Sequence, residues 1–114
     1  MFVKLTVVKD TLNAEVLSGE NLLEEEILSV CGADMMSDVL AFVKNQSVLL
    51  TGLMNQQVVR TAEMMDMKCI VFVRGKRPDD SVVELASDSG IAVMATSYRM
   101  YEACGRLYEA GVGR

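Results

Sequence analysis

Three apolar runs at even spacing constrain this chain more than any other feature. Ser47-Val48-Leu49-Leu50, Cys69-Ile70-Val71-Phe72-Val73 and Ile91-Ala92-Val93-Met94-Ala95 are apolar on both alternating faces. A strand of that kind must be covered on both sides, which is the pattern of a parallel sheet with helices above and below. Helical patterns separate the runs. Asn55 to Asp66 places Val58, Val59, Ala62 and Met65 on one face, at the spacing of an amphipathic helix. Pro78-Asp79-Asp80 opens a second helix, with Asp79 or Asp80 placed to cap it, and Gly90 closes it after Val82, Val83, Leu85 and Ala86. Ser97 is placed to cap a last helix, whose stripe is Met100, Ala103, Cys104, Leu107 and Tyr108 and whose end is Gly111. Alternating β and α units imply parallel strands joined by right-handed crossovers.

The first forty-odd residues are less regular. Thr6 is placed to cap a short helix to about Leu12, ended by Asn13. Ala14-Glu15-Val16-Leu17 predicts a short strand stopped by Ser18-Gly19. Glu24-Glu25-Glu26 is a solvated stretch before the strand Ile27-Leu28-Ser29-Val30-Cys31. Met36, Val39, Leu40 and Val43 then form one helical stripe, ended by Lys44-Asn45-Gln46. The whole predicts a single α/β domain over residues 1–114: three layers, with a mostly parallel sheet flanked by helices.

With 114 residues, 51% of them apolar, and only one Pro, the chain is long enough to bury a core without disulfide or metal staples. The net charge of −5 has the wrong sign for releasing counterions from nucleic-acid phosphates or for binding anionic membranes. No apolar run approaches the roughly 18 residues of a membrane span, and no signal-like core follows Lys4 and Lys9, so a cytoplasmic protein is expected. Cys31, Cys69 and Cys104 show no metal-knuckle spacing and are expected as reduced thiols.

The chain has no His. That removes the commonest general base and the Ser-His and Cys-His nucleophile pairs. Neither a GxxxxGK[ST] phosphate loop nor a GxGxxG fingerprint occurs; Gly75-Lys76 lacks the flanking residues of the first. Asp34 and Asp38 share a helix face, but two carboxylates make no metal site; Asp34 is expected as an N-cap and Asp38 as exposed. No cofactor, no metal and no catalytic residue is therefore expected.

Ligands of open parallel sheets lie at the carboxyl ends of the strands. Three segments qualify there. Thr51-Gly52 with Asn55 leads into a helix N-terminus, where backbone N–H groups suit an anion. Thr96-Ser97 does the same one strand on. Arg74, Lys76 and Arg77 add positive charge between them. A nucleotide or acyl phosphate would suit this rim; simple helix caps beside a solvated basic loop would give the same residues. Nine Met are many for this length, and Met35, Met36, Met64, Met65 and Met67 cluster about two helices. They serve as core filling or as an adaptable partner surface, with Met35, Met36, Met64 and Met65 the candidates for a homodimer interface.

From about Val16 to Gly111 the chain resembles the DRTGG domain family. The resemblance is carried by Glu15-Val16-Leu17-Ser18-Gly19, by Gly32-Ala33-Asp34-Met35-Met36-Ser37-Asp38-Val39-Leu40, by Arg74-Gly75-Lys76-Arg77-Pro78-Asp79, by Gly90-Ile91-Ala92-Val93, and by the closing Tyr101 to Gly111 run. The name-giving Asp-Arg-Thr-Gly-Gly segment would fall near Glu25 to Val30, where this chain has neither Arg nor paired Gly. The resemblance implies a fold like the N-terminal region of HPr kinase/phosphorylase. It also implies a non-catalytic regulatory or dimerising module, of the kind found with phosphotransacetylases and CBS-containing pyrophosphatases. The function expected is a homodimeric module that senses a small anionic ligand; the alternative is a protein-interaction or scaffold subunit without one.

Overall fold

The computed structural model describes residues 2–42 and 47–113. The chain forms β1 (Val3–Lys4), α1 (Leu5–Thr11), β2 (Glu15–Ser18), a 3-10 turn (Glu20–Leu22), β3 (Glu26–Ile27), β4 (Ser29–Gly32), α2 (Met36–Phe42), β5 (Ser47–Thr51), α3 (Gln56–Met64), β6 (Cys69–Phe72), α4 (Asp80–Asp88), β7 (Ala92–Ala95) and α5 (Met100–Glu109).

Five strands make the main sheet in the order β2-β7-β6-β5-β4. β4 to β7 are parallel in sequence order, and β2 is antiparallel to β7. The three apolar runs are β5, β6 and β7, and every residue in them is buried. Each fully buried large side chain contributes roughly 1.5–3 kcal/mol of apolar burial, so these strands anchor the fold. One face packs against α1 and α5 through Leu5, Val8, Leu12, Ala103 and Leu107. The other packs against α2, α3 and α4 through Met36, Val39, Val58, Val59, Ala62, Val82 and Ala86. The expected three-layer, mostly parallel sheet flanked by helices is thus the architecture found.

The N-terminal third departs in detail. The strand expected from Ile27 to Cys31 is divided at Leu28. Glu26–Ile27 pairs antiparallel with Val3–Lys4 in a separate two-stranded ribbon, and Ser29–Gly32 pairs with β5. Thr6 does not cap α1: Lys4 holds that position without a side-chain bond, and Thr6 Oγ1 donates to the Leu23 carbonyl at 2.9 Å. Glu24 is not simply solvated, since it accepts from Lys4 Nζ at 2.9 Å. β2 carries an irregularity between Val16 and Ser18. It turns at Gly19, whose φ of +84° favours glycine and whose missing Cβ would lie 2.7 Å from Ala92 Cα.

In α2, Met36 and Val39 face the core, whereas Leu40 is exposed. Val43 and the polar stop at Lys44-Asn45-Gln46 lie outside the described residues. Asp79 occupies the N-cap of α4, but it is its backbone carbonyl, not its carboxylate, that accepts from Val82 N and Val83 N. Ser97 does not cap α5, which begins after Arg99. In the α5 stripe, Ala103 and Leu107 are buried, but Tyr108 is exposed.

Candidate ligand rim at the carboxyl ends of the strands

Because β4 to β7 run parallel, their carboxyl ends lie along one rim. Backbone hydrogen bonds tie the departing segments together there. Ala33 N donates to Leu50 O at 3.0 Å, Val73 N to Thr51 O at 3.1 Å, and Thr96 N to Phe72 O at 2.9 Å. The turn after β6 is fastened to the segment after β7 by Arg74 N to Tyr98 O and Gly75 N to Thr96 O, both 2.8 Å. These bonds hold Arg74 at a φ of +68°, a conformation that non-glycine residues adopt at a cost.

The rim brings together several of the expected residues and re-purposes others. Thr51 is fully buried. Its hydroxyl donates to Asp34 Oδ1 at 3.1 Å and accepts from Leu53 N at 3.2 Å. Gly52 N donates to the same Asp34 Oδ1 at 2.7 Å. Asp34 is therefore not a simple helix cap: its carboxylate docks on the end of the neighbouring strand. The Gly52 N–H, expected as a donor for an anion, already has one. Asn55 Oδ1 accepts from Val58 N at 3.2 Å and so closes the first turn of α3. Thr96 is buried, donates to Leu12 O at 2.7 Å and accepts from Tyr98 N at 3.3 Å. Ser97 and Lys76 are exposed. Arg77 is engaged in an ion pair with Glu15 of the edge strand β2.

Arg74 is the residue that remains open. Its guanidinium lies over Gly52, where any Cβ would overlap Nη2. Among the described residues no carboxylate lies within ion-pair distance of it. Only a glycine at 52 permits that approach, which is a physical reason for Thr51-Gly52 beyond the turn it makes. Asp34 is the rim residue whose role its sequence position hides. Its sequence signal is its place two residues after a strand end, which the helix that follows disguises as a cap.

The four methionines are not brought together. Met36 is buried and Met65 half-buried against the core, while Met35 and Met64 are exposed by 63% and 73%. Met35 precedes α2 at the carboxyl end of the sheet; Met64 ends α3 at the amino end. A broad exposed face occurs instead on α5. Tyr101 and Tyr108, 93% and 65% exposed, flank Gly105 along the helix, and Tyr101 and Gly105 border an open hollow of about 810 Å³ shared with Thr11 of α1. There Arg106 donates to Glu102 at 2.9 Å and lies 4.4 Å over the Tyr98 ring. The Glu102 bond is the main cause holding the Arg106 guanidinium above its ordinary pKa.

All three cysteines are free thiols, with Cys69 buried in β6 and Cys31 and Cys104 half-exposed. Burial raises all three above the ordinary thiol pKa. No cluster of three or more metal-ligating side chains occurs among the described residues.

The DRTGG domain family matches the chain over residues 7–110. This chain belongs to the DRTGG domain family. Its fold is shared with the CBS and DRTGG domains of the regulatory region of Clostridium perfringens pyrophosphatase, whose crystal structure is complexed with the activator diadenosine tetraphosphate. The TM-score is 0.72 at 19% identity, covering 91% of this chain. The match covers 45% of the pyrophosphatase chain, so this protein spans less than half of that regulatory region. No curated protein matches significantly. Among the described residues no helix is long and apolar enough to cross a membrane.

The segment near Glu25 to Val30, where the family's signature would fall, covers β3 and the start of β4. It lies at the amino end of β4, the opposite end of the sheet from Asp34, Gly52 and Arg74. Its altered sequence leaves the rim intact.

Proposed function

We propose that this DRTGG domain is a non-catalytic, cytoplasmic regulatory module that senses a small anionic metabolite, a nucleotide being the leading class, at the carboxyl rim. The observation that carries this reading is the Arg74 guanidinium. It is seated on Gly52 at the end of the sheet and is without an ion-pair partner among the described residues. A charge held in a strained turn and left unpaired serves an anion better than it serves the fold. Exposed Lys76 adds to the same field. The regulatory setting of the pyrophosphatase relative and its nucleotide activator support the same class of ligand.

Thermal unfolding of the protein with ATP, diadenosine tetraphosphate, acetyl phosphate and pyrophosphate tests it. A ligand at a hundred times its Kd stabilises the native state by about 2.7 kcal/mol. The expected result is a rise in Tm with at least one of the four that Arg74→Gln removes. An unchanged Tm with all of them sinks the sensing reading.

A second reading, favoured by the α5 face, is self-association or docking of a protein partner. Gly105 between two exposed tyrosines lets another helix approach closely, and Glu102, Arg106 and Glu109 present both signs of charge. A second copy related by a two-fold axis would suit such a face. Light scattering on a sizing column checks this: a dimer that Tyr101→Glu dissociates, while Met64→Glu does not, is the expected result. A dimer dissociated instead by Met35→Glu or Met64→Glu would move the interface to α2 and α3. A monomer at all concentrations would end the self-association reading.

A further inference from the structure

Asp34 and Arg74 both lie against Gly52 and yet do not pair. The Asp34 carboxylate takes the Gly52 N–H and the Thr51 hydroxyl through Oδ1 alone. The Arg74 guanidinium covers the same Gly52 at its Cα. Among the described residues the only bonds to Asp34 are those at Oδ1, and no Asp34–Arg74 contact falls within 4.0 Å. The rim thus presents a hydrogen-bonded acceptor beside an exposed cationic donor. Arg74 would attract a bare inorganic anion there, but Asp34 would repel it. A ligand that offers hydroxyl hydrogens to one group and a phosphate to the other satisfies both.

Apolar residues adjoin this pair along the chain. Met35 follows Asp34 and is exposed, and Leu53 and Met54 follow Gly52 and are only half-buried. Leu53 and Met54 pack against the core, whereas the exposed, unbranched Met35 is an adaptable contact for an aromatic ring. We infer that the rim is built for a ribonucleotide: Asp34 Oδ2 accepts from the ribose hydroxyls, Arg74 holds a phosphate, and Met35 supports the base. This rests on the reading that the rim binds an anion, and it makes Asp34 the residue that separates ribonucleotides from simple phosphates. Carboxylates meet ribose hydroxyls in the same way at other strand ends of α/β folds.

Titration calorimetry on the full chain with ADP, 2′,3′-dideoxy-ADP, pyrophosphate and glutamine tests the assignment. Asp34→Asn is the informative variant, because its side-chain oxygen can still accept from Thr51 and Gly52 while the charge is gone. Wild type should prefer ADP over the dideoxy analogue about tenfold. Asp34→Asn should weaken ADP by a similar factor and at the same time strengthen pyrophosphate; Arg74→Gln should weaken both. A merely structural role for Asp34 would lower ADP and pyrophosphate together. That result, or equal affinity for ADP and its dideoxy analogue, overturns the ribonucleotide assignment and leaves anion sensing standing. Binding of glutamine in place of ADP overturns it as well, since an amino acid offers the pair an ammonium and a carboxylate without a base. Absence of any binding removes the anion-sensing reading and this inference with it.

Discussion

The middle of the sheet and its two edges obey different rules. β5, β6 and β7 are fully buried and carry their side chains into both layers. β4 and β2, at the edges, are only half-buried along most of their length. β2 is antiparallel and irregular, and β4 begins where the ribbon strand β3 breaks off. The middle has one way to satisfy itself, which is apolar contact above and below. The edges have polar and charged neighbours: Glu15 of β2 pairs with Arg77, and Asp34 after β4 bonds Thr51 and Gly52. The candidate ligand pair reflects this division. Gly52 and Arg74 follow the middle strands β5 and β6, whereas Asp34 follows the edge strand β4.

The largest expected effect falls in the middle. Phe72→Ala in β6 should cost about 3–5 kcal/mol, the range for removing a buried aromatic ring. Val16→Ala in β2 should cost only about 1 kcal/mol, since less area is returned to water. Urea denaturation of the two variants measures the difference; equal losses would erase the distinction between middle and edge. Next comes the turn that joins the edge strand to the core. Gly19→Ala should destabilise by roughly 2 kcal/mol, because it combines a positive φ with a Cβ 2.7 Å from Ala92 Cα. Gly105→Ala, on the open side of α5 with nothing within 4 Å of its Cβ, should instead add about 0.5–1 kcal/mol of helix stability. A neutral Gly19→Ala would show that the edge yields where the middle does not.

Thiol reactivity distinguishes the same regions kinetically. Burial raises the Cys69 pKa far above the neutral range, so a disulfide reagent should reach Cys69 only on global unfolding. Cys31 on the edge strand and Cys104 on α5, half-exposed but also raised by burial, should label slowly in the native state. Native-state labelling of Cys69 as fast as that of Cys31 would contradict the protected middle.

The smallest effect concerns the outlying ribbon. Lys4 donates a hydrogen bond to Glu24, which lowers the Glu24 pKa and raises that of Lys4. A lowered carboxylate pKa contributes stability above its unfolded value that is lost as pH falls through the folded one; the raised Lys4 contribution disappears only as pH rises through its own folded value, above the ordinary lysine range. Glu24→Gln should therefore leave a slightly flatter acid limb in the stability–pH profile. Both groups are exposed, so salt should shrink the difference further. An acid limb unchanged by the substitution would show that the ribbon pair is thermodynamically silent.

Legibility followed the same division. The runs at Ser47, Cys69 and Ile91 were readable because burial on both faces permits little but apolar residues. With α3 and α4 between them, they imply parallel pairing; the strand order comes from the tertiary structure. Thr6, Asp34 and Ser97 each stand where spacing predicts a helix cap, and none of them caps a helix through its side chain. A short polar residue before a helical pattern has two partners available: the helix behind it, or a distant segment that happens to lie nearer. Sequence spacing reports only the first.

What the sequence by itself determined is the class of the molecule: an α/β domain with a mostly parallel, doubly covered sheet, and its DRTGG kinship. Hydrophobic periodicity is a local consequence of burial and survives in one dimension. What only the tertiary structure decided is which side chains meet at the rim. Asp34, Gly52 and Arg74 stand far apart along the chain and come together only because parallel pairing aligns the ends of β4, β5 and β6. The methionines illustrate the converse: clustered in sequence, they are parted by the fold, with Met35 at one end of the sheet and Met64 at the other. Polar and charged groups find their partners through space, and strand order alone sets those distances.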